Sequence, residues 1–241
     1  MKREPSLENE VFCDPRFLNS PWLTSNIDWS FLKLHGTPKY FKKNEIVNYA
    51  IQPSGCIYYI SKGRVRTSVF TEAGEEKIIL VVDEGNIIDE VSVIDGLPNY
   101  LITTAVTESV LYKVEKDVFL KLVNSSMEIS NKVISDLTYK VRVLITQIED
   151  LTFMSSTARI AKCLYRLSRE YGIPFHDSIK LNIKFTHQEM AIYAGTCRVT
   201  ASNILGNMEK AGIIRRDNGY VIIKDLNMLK NYIEPSNDSS A

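Results

Sequence analysis

The sequence is poor in the residues that build metal centres and disulfide frameworks. Its four cysteines, Cys13, Cys56, Cys163 and Cys197, are scattered and form no CxxC pair. They are expected to be reduced thiols, buried or partly buried, in a reducing compartment. An iron–sulfur cluster needs four thiolates, and the N-terminal region offers only Cys13. Histidine is scarce too. His35, His176 and His187 are the complete set, which argues against a cupin-type metalloenzyme, where several His and carboxylates converge on one ion. His35 and Cys56 are the available haem ligands near the β-prone region, and two scattered residues are more often structural. The longest apolar stretches, such as Ile78 to Val82, are far too short to cross a bilayer. The opening MKREPSLENE is charged with no apolar core behind it, so no signal peptide is expected and the location is expected to be cytoplasmic. Arginine is missing altogether between Arg66 and Arg142.

What is present divides the chain. The formal net charge is zero, but residues 154–233 hold 12 Lys and Arg against 6 Asp and Glu, a net of +6, leaving −6 on the remainder. A basic C-terminal third on an acidic body points to a polyanion partner for that third. In the N-terminal half, glycines at 63, 74, 85 and 96 recur every eleven residues. Short β-prone runs lie between and after them: Ile57 to Ile60, Val65 to Phe70, Lys77 to Val82, Ile87-Ile88, Leu101 to Val106 and Val110 to Val114. That spacing predicts a small all-β barrel or sandwich over roughly 30–115, with Thr71 to Glu75 as a hairpin tip.

From Ser126 to Gly172 neither glycine nor proline interrupts the chain. Ile134, Leu137, Val141, Leu144, Ile148 and Leu151 fall at alternating intervals of three and four. Such an a/d stripe predicts a long helix that pairs with a second copy of the chain, with Lys140, Arg142, Gln147 and Asp150 off the seam. A break is expected near Phe153 to Ser156, then a second helix from Thr157 to Glu170 capped by Ser156 or Thr157 and ended by Gly172 and Pro174.

The stretch Thr186 to Ile223 carries the most specific pattern. Thr186 and Glu189 form a capping-box spacing. Gly195 supplies a turn, and Cys197 opens a second helix on which Val199 or Ala201, Ile204, Leu205 and Met208 face inward. Two short helices about a glycine turn are a helix-turn-helix, whose second helix enters the major groove. Asn218-Gly219 between β-prone runs then predicts a hairpin wing. Arg198 is placed to pair with guanine, beside Val199, Thr200, Ser202 and Asn203 on the reading face. Thr186, His187 and Gln188 at the first helix's N-terminus are placed for phosphate, as are Arg215 and Arg216 in the wing.

These segments resemble the family of the cyclic-AMP receptor protein and the fumarate-nitrate reduction regulator (Crp/Fnr). IYYISKGRVR resembles its strand-glycine-strand signature, EGNIIDEVSV its ligand-pocket segment, TARIAKCLYRL the first helix of its DNA-binding domain, and THQEMAIYAGTCRVTASNIL its helix-turn-helix. The resemblance implies an α+β chain: an N-terminal segment (1–29), a cyclic-nucleotide-binding-like β-roll sensor (30–120), a long dimerisation helix (121–153), and a winged helix-turn-helix domain (154–233, helix-turn-helix about 187–208). A disordered tail (234–241) is expected from its composition. It implies a homodimeric transcription regulator, an activator, that binds double-stranded DNA and RNA polymerase.

The departures concern the ligand. Glu90 matches the family's ribose-holding glutamate, but where its phosphate-gripping Arg-Ser pair should lie, residues 100 to 103 read Tyr-Leu-Ile-Thr. A buried cyclic phosphate without a guanidinium is badly compensated, which argues against cyclic AMP. The adenine-holding positions match Leu144 and Ile145. An apolar-walled pocket of Ile88, Asp89, Glu90, Tyr100, Ile102, Thr103, Leu144 and Ile145 would instead suit a small organic effector, as in the branch that senses halogenated aromatics; a regulator with no effector is the alternative. In the recognition helix Arg198 is kept, whereas Val199 and Asn203 depart from the receptor's Glu and Arg. No resident metal or cofactor is expected, nor is membrane association.

Overall fold

The computed structural model describes residues 22–23, 27–51 and 55–233. Cys13, the tail from residue 234 and most of the expected 1–29 segment lie outside the described residues. The chain divides between Thr146 and Gln147 into two compact units.

The N-terminal unit is built on two sheets. One runs β1-β6-β5-β8-β3, from Trp22–Leu23, Glu76–Asp83, Arg64–Phe70, Ile102–Ala105 and Ile46–Asn48. The other runs β2-β9-β4-β7, from Thr37–Phe41, Ser109–Glu115, Cys56–Lys62 and Ile87–Ile88. Each of the predicted runs is a strand, while β1, β2 and β3 are additional. The eleven-residue glycine period has a structural cause. Gly63, Gly74, Gly85 and Gly96 all have positive φ, so each supplies a turn that other residues enter only with strain. Gly63 is the tightest, since a Cβ there would overlap the Ser109 side chain and the Glu108 carbonyl.

Strand β4 is apolar on both faces because both are covered. Cys56, Tyr58 and Ile60 join Val65, Leu80, Val82, Ile88, Leu111 and Val143 in one cluster. Ile57 and Tyr59 join Trp29, Leu32, Ile87, Val93, Val114, Phe119 and Val133 in the other. Fully burying each such aliphatic side chain contributes ~1.5–3 kcal/mol. A short helix, α1 (Glu90–Asp95), follows β7.

Two helices follow the roll where one was expected. α2 spans Lys116–Ser125, and Ser126, in an extended conformation (φ −138°, ψ 114°), separates it from α3, Met127–Phe153. Val133 and Val143 of α3 belong to the roll's own clusters, and Leu137 packs against one of them.

The C-terminal unit begins with the last turns of α3. After Met154, Ser155 caps α4 (Ser156–Tyr171), its side chain accepting from the Ala158 amide at 3.2 Å. The cap therefore lies one or two residues before the Ser156 or Thr157 expected. Ile160, Ala161, Leu164 and Leu167 make α4 the buried axis of the unit. Around it lie β10 (Gly172–Phe175), β11 (Ser178–Lys184), α5 (His187–Ala194), α6 (Arg198–Lys210), β12 (Ile214–Asp217), β13 (Tyr220–Ile223) and α7 (Leu226–Ile233). The sheet order is β10-β11-β13-β12. Neither β10–β11 nor α7 was expected from the sequence. The described residues contain no helix long and apolar enough to cross a membrane.

Candidate nucleic-acid interface and sensor site

The helix-turn-helix forms as its local signals direct. Thr186 and Glu189 make a complete capping box, in which the Glu189 amide donates to Thr186 Oγ1 and the Thr186 amide to Glu189 Oε2. Gly195 ends α5 in the left-handed region (φ 62°), which turns the chain toward α6. Ala201, Leu205 and Met208 are the buried face of α6. That settles the open choice at its start: Ala201 points inward, and Val199 is 69% exposed. Arg198, Val199 and Asn203 thus lie on the exposed side of the helix's first turns. Thr200 is half-buried, its hydroxyl 3.1 Å from Cys197 Sγ. That hydroxyl, with the first backbone amides of α6, holds the Cys197 thiol below its ordinary value of 9.0. Cys197 is exposed, unlike the buried Cys56 and Cys163, and corrects the expectation that all the thiols are at least partly covered.

His187, Ser202, Arg216 and Glu209 form one polar cluster joining α5, α6 and the wing. The guanidinium of Arg216 contacts His187 Nε2 and reaches Glu209 Oε2 at 3.3 Å; the Arg216 amide donates to Glu209 Oε1 at 3.1 Å. A guanidinium only donates, so His187 Nε2 accepts and its Nδ1–H donates to Ser202 Oγ at 3.0 Å. The imidazole is therefore neutral. Burial first, then the charges of Arg216 and Arg198, hold its pKa below 6.5. Of the residues expected to meet DNA, Gln188, Arg198, Val199, Asn203 and Arg215 are exposed. His187, Ser202 and Arg216 have partners inside the chain. The wing turns at Asn218-Gly219, both with positive φ (51° and 83°). Behind it, Lys180 and Lys184 of β11 stand over the Tyr220 ring at 4.2 and 4.7 Å. These lysines were not singled out from the sequence. Their signal was a pair of cations four residues apart on a β-strand, hence on one face.

Arg159 binds this assembly at its base. Its guanidinium donates to Ala194 O (2.7 Å), Met154 O (2.7 Å), Gly195 O (3.0 Å) and Ser156 Oγ (3.4 Å). Carbonyls at the end of α5 and just after α3 thus share one cation, which the negative ends of helices favour.

In the sensor unit, Ile88, Asp89 and Glu90 come together at the β7–α1 junction. Asp89 itself has positive φ (70°) and accepts from Asn48 at 3.0 Å and Asn99 at 2.9 Å. Burial of its carboxyl pushes the pKa up to about 7. Glu90 Oε1 lies 2.7 Å from Lys140 Nζ on α3. The same ammonium donates to Ile87 O at 3.1 Å and pairs with Asp136 Oδ2 at 2.8 Å. Lys140, Glu90 and Asp136 are all buried, at 7, 2 and 0% exposure. Burial works to lower the Lys140 pKa, but Glu90 and Asp136 more than offset it, so the net shift is upward. Thr103 is buried, Ile102 and Leu144 are half-buried, and Tyr100 and Ile145 are exposed, outside both hydrophobic clusters. The sequence reading placed Lys140 merely off the seam. The available signal was Asp136, one turn away on the same face.

On α3, Ile134, Val141, Ile145 and Ile148 are between 53 and 64% exposed, and Leu151 is 45% exposed. Leu137 and Leu144 are half-buried. Among the described residues no group of three or more His, Cys, Asp or Glu could hold a metal ion.

Residues 38–126 match the cyclic nucleotide-binding domain and residues 158–232 the Crp-like helix-turn-helix domain. The global nitrogen regulator of Synechococcus elongatus is 26% identical over 176 residues, 72% of this chain and 79% of that protein. The cyclic-AMP-activated global transcriptional regulator of Salmonella typhimurium is 24% identical over 207 residues, 86% of this chain and 97% of that one. Among solved structures, a CooA mutant from Carboxydothermus hydrogenoformans superposes with a TM-score of 0.73 at 21% identity, covering 87% of this chain and 97% of that one. A cysteine-to-serine variant of CprK complexed with OCPA gives 0.70 at 17% identity, over 88% and 96%.

Proposed function

This chain belongs to the Crp/Fnr family of transcription regulators, and we propose that it binds two-fold symmetric DNA sites as a homodimer, reading sequence with the first turns of α6. The observation that carries this reading is the division of α6 into a buried apolar face and an exposed one bearing Arg198, Val199 and Asn203. Arg198 is the residue for bidentate pairing with guanine, and Asn203 suits adenine. Arg215 and the amides at the start of α5 hold phosphate, which fixes register without reading sequence. The protein is a regulator rather than a catalyst. It works in the cytoplasm and, as an activator, engages RNA polymerase.

The second copy is supported by the apolar stripe of Ile134, Val141, Ile145 and Ile148 on α3. Exposed residues of this kind repeat at three- and four-residue intervals where two helices pair. Replacing Val141 and Ile148 with Lys tests both parts. Sedimentation is expected to give monomers, and footprinting of the unaltered chain to give half-sites about 10–10.5 bp apart, or a multiple of that. A lysine double variant that stays dimeric and binds normally would overturn the dimer; a single asymmetric footprint would overturn the symmetric site.

Cyclic AMP is not the signal in this reading, because no arginine is available near residues 100 to 103 for its phosphate. Two sensor readings then remain from the sequence, a small organic effector or none. The engagement of Glu90 by Lys140 favours none.

A further inference from the structure

Three oxygens converge on the Lys140 ammonium: it donates to Glu90 Oε1 and Ile87 O and forms an ion pair with Asp136 Oδ2, all within 3.1 Å. The first two belong to β7 and α1 of the roll. The third lies one helical turn from Lys140 on α3. The junction these groups hold is itself unusual, with Asp89 in a left-handed conformation between two amide donors. Such a backbone persists only where its surroundings over-determine it. The exposed stripe at Ile134, Val141 and Ile145 belongs to the same helix. One side chain therefore fixes the β7–α1 junction to the helix that meets the second copy.

We propose that Lys140 is a built-in substitute for an effector: its ammonium holds the β7–α1 junction on α3 permanently, so that the dimer is competent for DNA with no small molecule bound. The proposal rests on the reading of the chain as a homodimeric DNA-binding regulator. An incoming ligand that took Glu90 Oε1 would have to break a buried ion pair and leave Lys140 without its partner. That exchange is strongly unfavourable among groups so fully buried. Of the Glu90 oxygens, only Oε2 is without a hydrogen-bond partner. Lys140 acts here as a positioning residue; it touches no DNA.

The test uses a two-fold symmetric duplex selected from a randomised library by the full chain. The chain is first unfolded in denaturant, dialysed and refolded to strip any bound molecule. It is expected to regain its affinity for the selected duplex without additions. Lys140→Ala removes the tether and opens space for a small amine. Its affinity for the selected duplex is expected to fall about tenfold or more, with binding to unrelated duplex unchanged. Millimolar propylamine should restore the selected-site affinity, and propanol should not. Should Lys140→Ala fail to fold, the triple variant Lys140→Met/Glu90→Leu/Asp136→Leu replaces the whole ion cluster by apolar groups, a change that buried clusters commonly tolerate. That variant should be folded and dimeric yet bind the selected duplex as weakly.

A folded variant with undiminished selectivity would overturn the tether. So would a refolded wild-type chain that regains binding only when a small-molecule extract is added. Amide exchange at residues 87–90, fast in Lys140→Ala and slowed by propylamine but not propanol, gives a readout that needs no DNA; exchange indifferent to the amine would overturn the tether as well. If the library yields no enriched duplex, the regulator reading fails, and the amine dependence of that exchange still decides the tether.

Discussion

In the sensor unit one buried cation, Lys140, faces Glu90 and Asp136, with Asp89 adjoining them in sequence. In the DNA-binding unit one carboxylate, Asp150, faces Lys162 and Arg166. The two clusters are opposite in sign, as are the net charges of the two parts of the chain. In the first, burial raises the pKa of Asp136 and that of Asp89. In the second, burial and then Arg166 lower that of Lys162. Residues 18–146 hold 14 Lys and Arg against 15 Asp and Glu, and residues 147–233 hold 12 against 8, so each cluster leans in sign the way its unit does. The difference teaches that removing a single lysine has different consequences in the two places. Lys140 is the sole cation of its cluster, whereas Asp150 keeps Arg166 when Lys162 is lost.

The largest expected effect breaks that comparison directly. Lys140→Met leaves buried carboxylates uncompensated and should cost about 3–5 kcal/mol in urea denaturation, whereas Lys162→Met should cost ~1–2 kcal/mol. Equal losses would show that the second cation contributes nothing.

Proton linkage separates the units in sign. Asp89 has a folded pKa of about 7, above its ordinary 3.8. Its contribution is present in full below 3.8 and is lost as pH rises toward and through 7, a change of up to ~4 kcal/mol at 1.36 kcal/mol per unit. Asp89→Asn, which suits the positive φ, should therefore flatten that loss and leave the sensor unit more stable at pH 8. His187 runs the other way. Its folded pKa lies below 6.5, so its contribution is present above that value and is lost as pH falls through the folded pKa. Protonation then sets an imidazolium against Arg216 and should free the wing. Amide exchange in β12 and β13 that quickens with acid in the wild type, and not in His187→Gln, would bear this out; equal acid response in both would refute it.

Within the DNA-binding unit, Arg198→Ala should cost ~1–3 kcal/mol and relax preference at one base pair in each half-site. An even loss across a randomised library would make Arg198 a phosphate contact. The smallest effect belongs to Arg215→Ala, expected to weaken all sequences alike and to reduce the salt slope by about one.

Much of this architecture was legible because local chemistry and tertiary structure agree. The glycine period, the Thr186–Glu189 box and Asn218-Gly219 each specify a backbone conformation by themselves. The strands β1, β2 and β3 were not legible, since they are short or at sheet edges and alternate poorly. Strand β10 reads as a helix stop because Gly172 and Pro174 signal a break without specifying the next element. The stripe on α3 was legible only in part. Val133, Leu137 and Val143 face the roll's own clusters while Ile134, Val141, Ile145 and Ile148 are exposed, and three-four spacing alone cannot assign apolar residues to two faces of one helix. Lys140 and Lys162 were invisible as cluster members. A helical lysine reads as solvated until the strands or helices opposite it are known.

Arg159 gives the short break after α3 a mechanical character. Three of its hydrogen bonds run to the carbonyls of Met154, Ala194 and Gly195. Twisting the chain at Met154–Ser155 would pull the Met154 carbonyl away from a guanidinium that the Ala194 and Gly195 carbonyls hold in place, at ~1 kcal/mol or more. The gap therefore does not work as a swivel. The last turns of α3, from Gln147, are thereby braced to α4 and the end of α5 inside the C-terminal unit: a bracket, not a joint.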